Sequence, residues 1–452
     1  MQDDKPADFS NGMIQVDPAA APPAETLPPE SVEETPDEGI ELTYQGRWQD
    51  VASLALTNAL LSFITFGIYS FWGRTRIRRY LWSHTSANGS PLEYHGTGGQ
   101  IFLGFIIITV IFGIINAIFQ FVQTALVNAA VSAGDPAVIG VIFAVSSFVF
   151  MVFYLTFFAY ITYSVRRYWL AVTSWRGIRL WQGGTRGTLL RMAFPRSLLT
   201  VVTAGLCYPW LILKTEGYAY SQSHVGDQQF SFGAKAGPLL RGWLPLWASY
   251  FLLVLGPIAA LFLFSFTAAM SGDAEAASDI FPSWIADMGK AGAIAFATGF
   301  GVAILIAAAA YGFWRARLFN VAVSGISIGN LRFIGRIRTM TFISAYVRAF
   351  LLAGIIIAVP GMLIATMLGA FSVGSGSPFA GFFSFLLIFL LFFVVWGFVR
   401  NVIIVHGLWK ARVEATSTEG TVNVGIIRQA QVRRMRQGEG FGMAFDAGFG
   451  EA

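Results

Sequence analysis

LLSFITFGIYSFWGRTRIRRYLWSHTSANGSPLEYHGTGGQIFLGF, residues 60–105, sets the terms for the whole chain. An apolar helix runs into a break at Gly67, and Arg74, Arg76, Arg78 and Arg79 follow among Trp72, Tyr80 and Trp82. Asn88-Gly89 comes next, then the alternating pair Leu92 and Tyr94, and a new apolar run opens at Ile101. Apolar stretches ending in arginine and aromatic residues are the mark of membrane helices meeting a charged surface. Asn-Gly tolerates positive φ, so a tight turn between short strands is expected at 88–89.

The flanking sequence extends the same reading. Of the 452 residues 55% are hydrophobic and 12% charged, with a mean hydropathy of +0.61. Soluble domains carry about twice that charge. Apolar runs at 101–119, 138–161, 246–270, 293–313 and 379–399 approach or exceed the ~20 residues that cross a hydrocarbon core. Segment 1–39 is an acidic, Pro-rich tail with little to bury, and is expected to be disordered. It lacks the basic and apolar regions of a cleavable signal peptide. Residues 1–41 hold eleven acidic residues against one lysine, which leaves the formal net charge of +5 as the sum of opposed parts.

The basic residues sort the loops into two classes. Loops 124–137, 271–292 and 369–378 contain between them one basic residue, Lys290, whereas every other inter-helix segment is Arg-rich. Lys and Arg excess marks the cytoplasmic side. This predicts three apolar pairs (101–123 with 138–165, 242–270 with 290–313, 342–368 with 379–405) that leave the cytoplasm and return. Segments 51–72 and 197–213 are left over, interrupted by Gly67 and by Gly205 and Pro209. The expected fold is an all-α polytopic membrane protein with six full spans, two broken or re-entrant helices and both termini cytoplasmic. Eight full spans are the alternative.

Residues 60–94 align without gaps on 198–232, an offset of 138, pairing Thr65, Gly67 and Trp72 with Thr203, Gly205 and Trp210. This internal repeat suggests units at 40–167 and 168–317, a partial third at 318–426 and a tail at 427–452. A smaller element recurs at 78–96, 166–183, 217–233, 315–335 and 408–425: a helix end, a polar turn, then alternating apolar residues. Each reads as a short β-hairpin. Isolated hairpins are marginal in water, so these, with Ile40-Leu42-Tyr44, are expected to pair into a cytoplasmic collar.

The segment 65–105 resembles the YjgN-like bacterial inner-membrane proteins. The likeness rests on Thr65, Gly67, Ile68, Tyr69 and Trp72 at the helix end, Arg79 to Trp82 at the turn, and Tyr94 to Gly98 at the strand end. The second copy departs from the pattern, with Cys207-Tyr208-Pro209 replacing Tyr69-Ser70-Phe71 and no His-Gly-Thr-Gly. The resemblance implies an inner-membrane location and no catalytic activity.

The residues themselves offer little chemistry. Four histidines (His84, His95, His224 and His406) and one cysteine, Cys207, show no metal-ligand spacing, and no nucleotide or hydrolase motif is present. Gly96 to Gly104 reads as a strand-to-helix entry rather than a phosphate cradle. No enzyme, cofactor, metal or nucleic-acid role is expected. Three groups are candidates. The broken helices supply Thr65, Gly67, Tyr69 and Trp72 with Thr203, Gly205, Pro209 and Trp210, since discontinuous helices line transporter sites. Arg74, Arg76, Arg78, Arg79, Arg166 and Arg167 are candidate anionic-lipid contacts, or simple topology markers. Asn116, Gln120 and Gln123 share one helix face, as interhelical hydrogen-bonding groups or as the polar lining of a path. Two functional readings follow: a transporter or channel-like protein for an unknown solute, or a non-transporting scaffold that binds anionic lipid or a protein partner.

Overall fold

The computed structural model describes residues 39–251, 289–356 and 394–429, apart from 133, 135 and 426, with 253, 386, 391 and 392 besides. The acidic tail, the loop at 369–378 and most of the loop at 271–292 lie outside the described residues, as do most of the last tail and parts of the spans expected at 242–270, 342–368 and 379–405.

Ten strands form one antiparallel sheet in sequence order: β1 (Leu42–Tyr44), β2 (Thr85–Ala87), β3 (Ser90–Tyr94), β4 (Thr173–Trp175), β5 (Ile178–Gln182), β6 (Ser223–Val225), β7 (Gln228–Phe232), β8 (Ile326–Ile328), β9 (Leu331–Gly335) and β10 (Thr416–Glu419). Its two edges approach each other, for Thr418 Oγ1 donates to the Ile40 carbonyl at 2.8 Å. The turns follow from their residues. Asn88-Gly89 and Arg176-Gly177 have positive φ at both positions, and Gly226 and Gly329 at the first position only. These are the signs of the I′ and II′ hairpin turns, which match strand twist.

Helices occupy the gaps between hairpins. β1 leads into α1 (Trp48–Ile64) and α2 (Ser70–Ser83), which return the chain to β2. α3 (Gly98–Ser132) and α4 (Pro136–Ala171) join β3 to β4, and α5 (Arg186–Val202) and α6 (Tyr208–Ser221) join β5 to β6. A helix over 236–251 and α7 (Gly289–Ser324) lie between β7 and β8. Beyond β9 come α8 (Thr339–Ile356), a π-helical turn at Arg400–His406 and α9 (Gly407–Glu414). Local signals place the starts. Thr97 and Gln100 cap α3 reciprocally, with Gln100 N–H donating to Thr97 Oγ1 and Thr97 N–H to Gln100 Oε1.

Two expectations are corrected. The fold is not all-α with short hairpins, because ten strands make one sheet whose pairing crosses every helical excursion, as in Leu92 opposite Trp175 and Phe230 opposite Ile328. Each excursion brings its two flanking strands side by side, and an edge strand with free N–H and C=O groups pairs with what is adjacent. The element at 408–425 gives one strand, β10, instead of a hairpin. The spans are also fewer, among the described residues, than the six or eight expected. Among the described residues four helices are long and apolar enough to cross a membrane: Gly98–Ser132, Val138–Ala171, Gly301–Ser324 and Thr339–Ile356.

The sheet has its own apolar interior. Ala87, Trp175 and Val225, with Leu92, Leu180 and Phe230 around them, enclose Ile427 from beyond β10. That last segment is held at the β6–β7 turn. Asp227 N–H donates to the Arg428 carbonyl at 3.0 Å, and Arg428 N–H to Asp227 Oδ1 at 3.2 Å. Gly226 permits the approach, since a β-carbon there would stand 2.2 Å from the Arg428 oxygen. Beneath the sheet, Trp82 and Trp409 stack at 4.4 Å and donate to Thr173 and Thr85.

Candidate functional site: two broken-helix turns and the arginines around them

α1 and α5 both have 17 residues, and α2 and α6 both have 14. A 17-residue helix rises about 25 Å, short of the ~30 Å hydrocarbon core. The turn between each pair is built the same way. Thr65 Oγ1 donates to the Leu61 carbonyl and accepts from Tyr69 N–H; Thr203 Oγ1 does the same with Leu199 and Cys207. Gly67 N–H reaches back to Ser62 and Gly205 N–H to Thr200, while Phe66 and Ala204 hold φ of +49°. This is a Schellman ending, in which left-handed backbone satisfies the last carbonyls of the helix. The next glycine, at +88° or +93°, turns the chain back.

The tips differ in cover. Trp247 Nε1 donates to the Ala204 carbonyl at 2.9 Å, and Trp243 Nε1 to Gly205 at 3.0 Å. At the first tip Phe66 is 83% exposed and Ile64 69%. Tyr69 stacks beside Trp72, and Trp72 packs on the start of α3, where a β-carbon at Gly98 would lie 2.6 Å from its ring. Pro209 is buried in the first turn of α6, and Trp210 remains partly exposed.

The six arginines do not form one surface. Arg76 and Arg79 are exposed; Arg76 bonds Tyr69 Oη at 3.2 Å and Asn58 Oδ1 at 3.4 Å. Arg74 lies over Phe71. Arg78 turns inward over the Trp169 ring at 5.0 Å, near Tyr94, Tyr168 and Arg400. Burial pulls its guanidinium below the ordinary arginine value, and Arg400 adds to the fall against the opposing pull of Tyr94. Arg166 is ion-paired with Glu216 and lies 3.8 Å over the Tyr220 ring, while Arg167 is half-buried nearby in chain. Asn116 meets α4, accepting from Tyr154 Oη at 3.4 Å, whereas Gln120 is exposed and Gln123 half-buried.

Sequence reasoning missed the tyrosine cluster beside Arg78. A β-carbon at Gly96 would meet Tyr94 Oη at 2.4 Å and Tyr168 Oη at 2.6 Å, and one at Gly46 would meet Tyr44 Oη at 2.1 Å. The signal was available as a strand-ending Tyr-x-Gly, at 44–46 and again at 94–96. Among the described residues, no three of His, Cys, Asp and Glu come together as a metal site would require.

Known proteins share parts of this pattern. The chain is 32% identical over 71 residues to the inner membrane protein YjgN of Salmonella typhimurium, covering 16% of this chain and 18% of that protein. It is 33% identical over 60 residues to inner membrane protein YjgN of Escherichia coli, covering 13% and 15%. These matches span less than a fifth of the relatives' own length. No solved structure matches the chain significantly. The wider agreement is with a family described as bacterial protein of unknown function (DUF898), which matches residues 40–443, and the chain belongs to that family.

Proposed function

We propose that this is an integral inner-membrane protein acting as a non-transporting scaffold that binds anionic lipid through its two helical hairpins. The observation that carries the reading is the apolar exposure of their tips, with Phe66 at 83%, Ile64 at 69% and Val202 at 64%. Such surface belongs against hydrocarbon or a partner, not water. Four apolar helices and the names of the relatives support the inner-membrane location. The positive-inside rule orients the Arg-rich helix ends that adjoin the sheet towards the cytoplasm. The matching turns support descent of the two hairpins by duplication. Arg76 and Arg79, exposed on α2, are the proposed headgroup contacts.

The test is lipid retention. Wild-type protein purified in neutral detergent is expected to keep anionic phospholipid in stoichiometric amount, and the double variant Arg76→Gln/Arg79→Gln to keep at least threefold less. Equal retention by both overturns the reading. Solute transport is the competing reading, favoured by the two helix breaks. Flux in proteoliposomes above that of empty vesicles, altered by Gly67→Ala or Gly205→Ala, would establish it instead.

A further inference from the structure

The two hairpins match in backbone and differ in what lies between their helices. In the second, α5 and α6 border a groove of about 400 Å³ lined by Pro195, Arg196, Leu198, Leu199, Val202 and Trp210. At the offset of 138, the first hairpin has Thr57, Asn58, Leu60, Leu61, Ile64 and Trp72. There the helices touch, with Asn58 Nδ2 donating to the Gly73 carbonyl at 3.0 Å and its Cβ 3.0 Å from where a Gly73 β-carbon would stand. The second hairpin lacks both halves of that contact. Arg196 replaces Asn58, and Leu211 replaces Gly73 and packs on Ala159 and Ala193. Pro195 lies inside α5, where it has no N–H for the helix ladder.

The groove is apolar along its length and charged at one place. Leu198 and Val202 are exposed, continuous with the apolar tip. Arg196 lies 5.2 Å over the Trp210 ring, and its Nη1 bonds the Met192 carbonyl while its buried Nε makes no hydrogen bond among the described residues. None of the six lining residues is acidic. A hydrocarbon trough ending in a guanidinium beside an indole complements one molecule class: a chain with an anionic head.

Resting on the lipid-binding reading above, we infer that this groove is a discrete site for an acyl chain of an anionic phospholipid, with the phosphate held by Arg196. The first hairpin, closed by Asn58 and Gly73, lacks this acyl-chain groove and engages anionic headgroups only at the exposed Arg76 and Arg79. The test uses full-length protein in phosphatidylcholine vesicles containing either phosphatidylglycerol or further phosphatidylcholine, each with a photoreactive diazirine in one acyl chain. Crosslinks are mapped by mass spectrometry. Phosphatidylglycerol is expected to label 195–210 at least fivefold more than 57–72, and Arg196→Gln to remove that excess without changing phosphatidylcholine labelling. Val202→Trp, which fills the trough, is expected to lower labelling by both lipids at 195–210 alone. Equal labelling of the two hairpins, or indifference to Arg196→Gln in protein that elutes and melts as wild type, overturns the site. The general lipid-binding reading fails separately, on the retention of anionic lipid by Arg76→Gln/Arg79→Gln.

Discussion

At Gly96 the space a side chain would fill is taken by the hydroxyls of Tyr94 and Tyr168, with the Arg78 guanidinium beside them. Adding one methyl forces those rings out of a packed polar cluster. Gly96→Ala is therefore expected to destabilise the protein by about 1–3 kcal/mol, as overpacking does, seen as a lower melting temperature in detergent. His224 gives a pH counterpart. Its ring stacks on Trp181 at 3.9 Å, and burial lowers its pKa despite a hydrogen bond with the Gln222 carbonyl. The folded state thus favours the neutral ring. Its contribution is present above the unfolded-state value of about 6.5 and is lost as pH falls from there through the lower folded-state value. His224→Gln is expected to flatten the melting-temperature profile between pH 7 and 5, measured against wild type.

The helical hairpins put the balance at the level of elements. The threonine bridge in each turn ties the end of one helix to the start of the next through part-buried bonds, and a neutral hydrogen bond contributes about 1 kcal/mol. Thr65→Val and Thr203→Val should each lower stability by roughly that amount, checked by thermal unfolding of the single variants. Much of this was legible in the sequence. Gly67 and Gly205 announced the breaks, and Asn88-Gly89 its hairpin, because each needs a backbone state few residues adopt. That the hairpins pair with one another was legible, but which strand meets which was not. Period-2 pairs such as Leu92/Tyr94 predict a strand, but the pairing of β3 with β4 depends on α3 and α4 ending side by side, which no local pattern encodes. The groove was hidden for the same reason. Pro195 is visible in the sequence, yet its effect depends on Leu211 packing towards α4.

Across the whole molecule, the sheet links excursions that otherwise meet only through their helices. Its strands are three to five residues long, too short to persist alone, so its stability depends on closure and on the apolar interior. Ile427, 7% exposed, fills that interior. Ile427→Ala is expected to cost about 2–5 kcal/mol, read as faster amide exchange across β2–β7 with little change in α3 and α4. Uniform loss of protection in helices and strands would show that the sheet and the helices unfold as one unit.

The position of Ile427 also bears on how the chain is made. A ribosome delivers the hairpins in the order in which they pair, so each strand can add to its predecessor as successive helices enter the bilayer. The plug arrives only after every strand has been synthesised. Until then the apolar interior faces water, and the growing sheet keeps an open edge waiting for β10. Biogenesis therefore has a late, vulnerable interval set by the distance between β9 and β10. A chaperone that shields apolar surface would find its substrate during that interval, and a nascent chain arrested before residue 416 would be its longest-lived form.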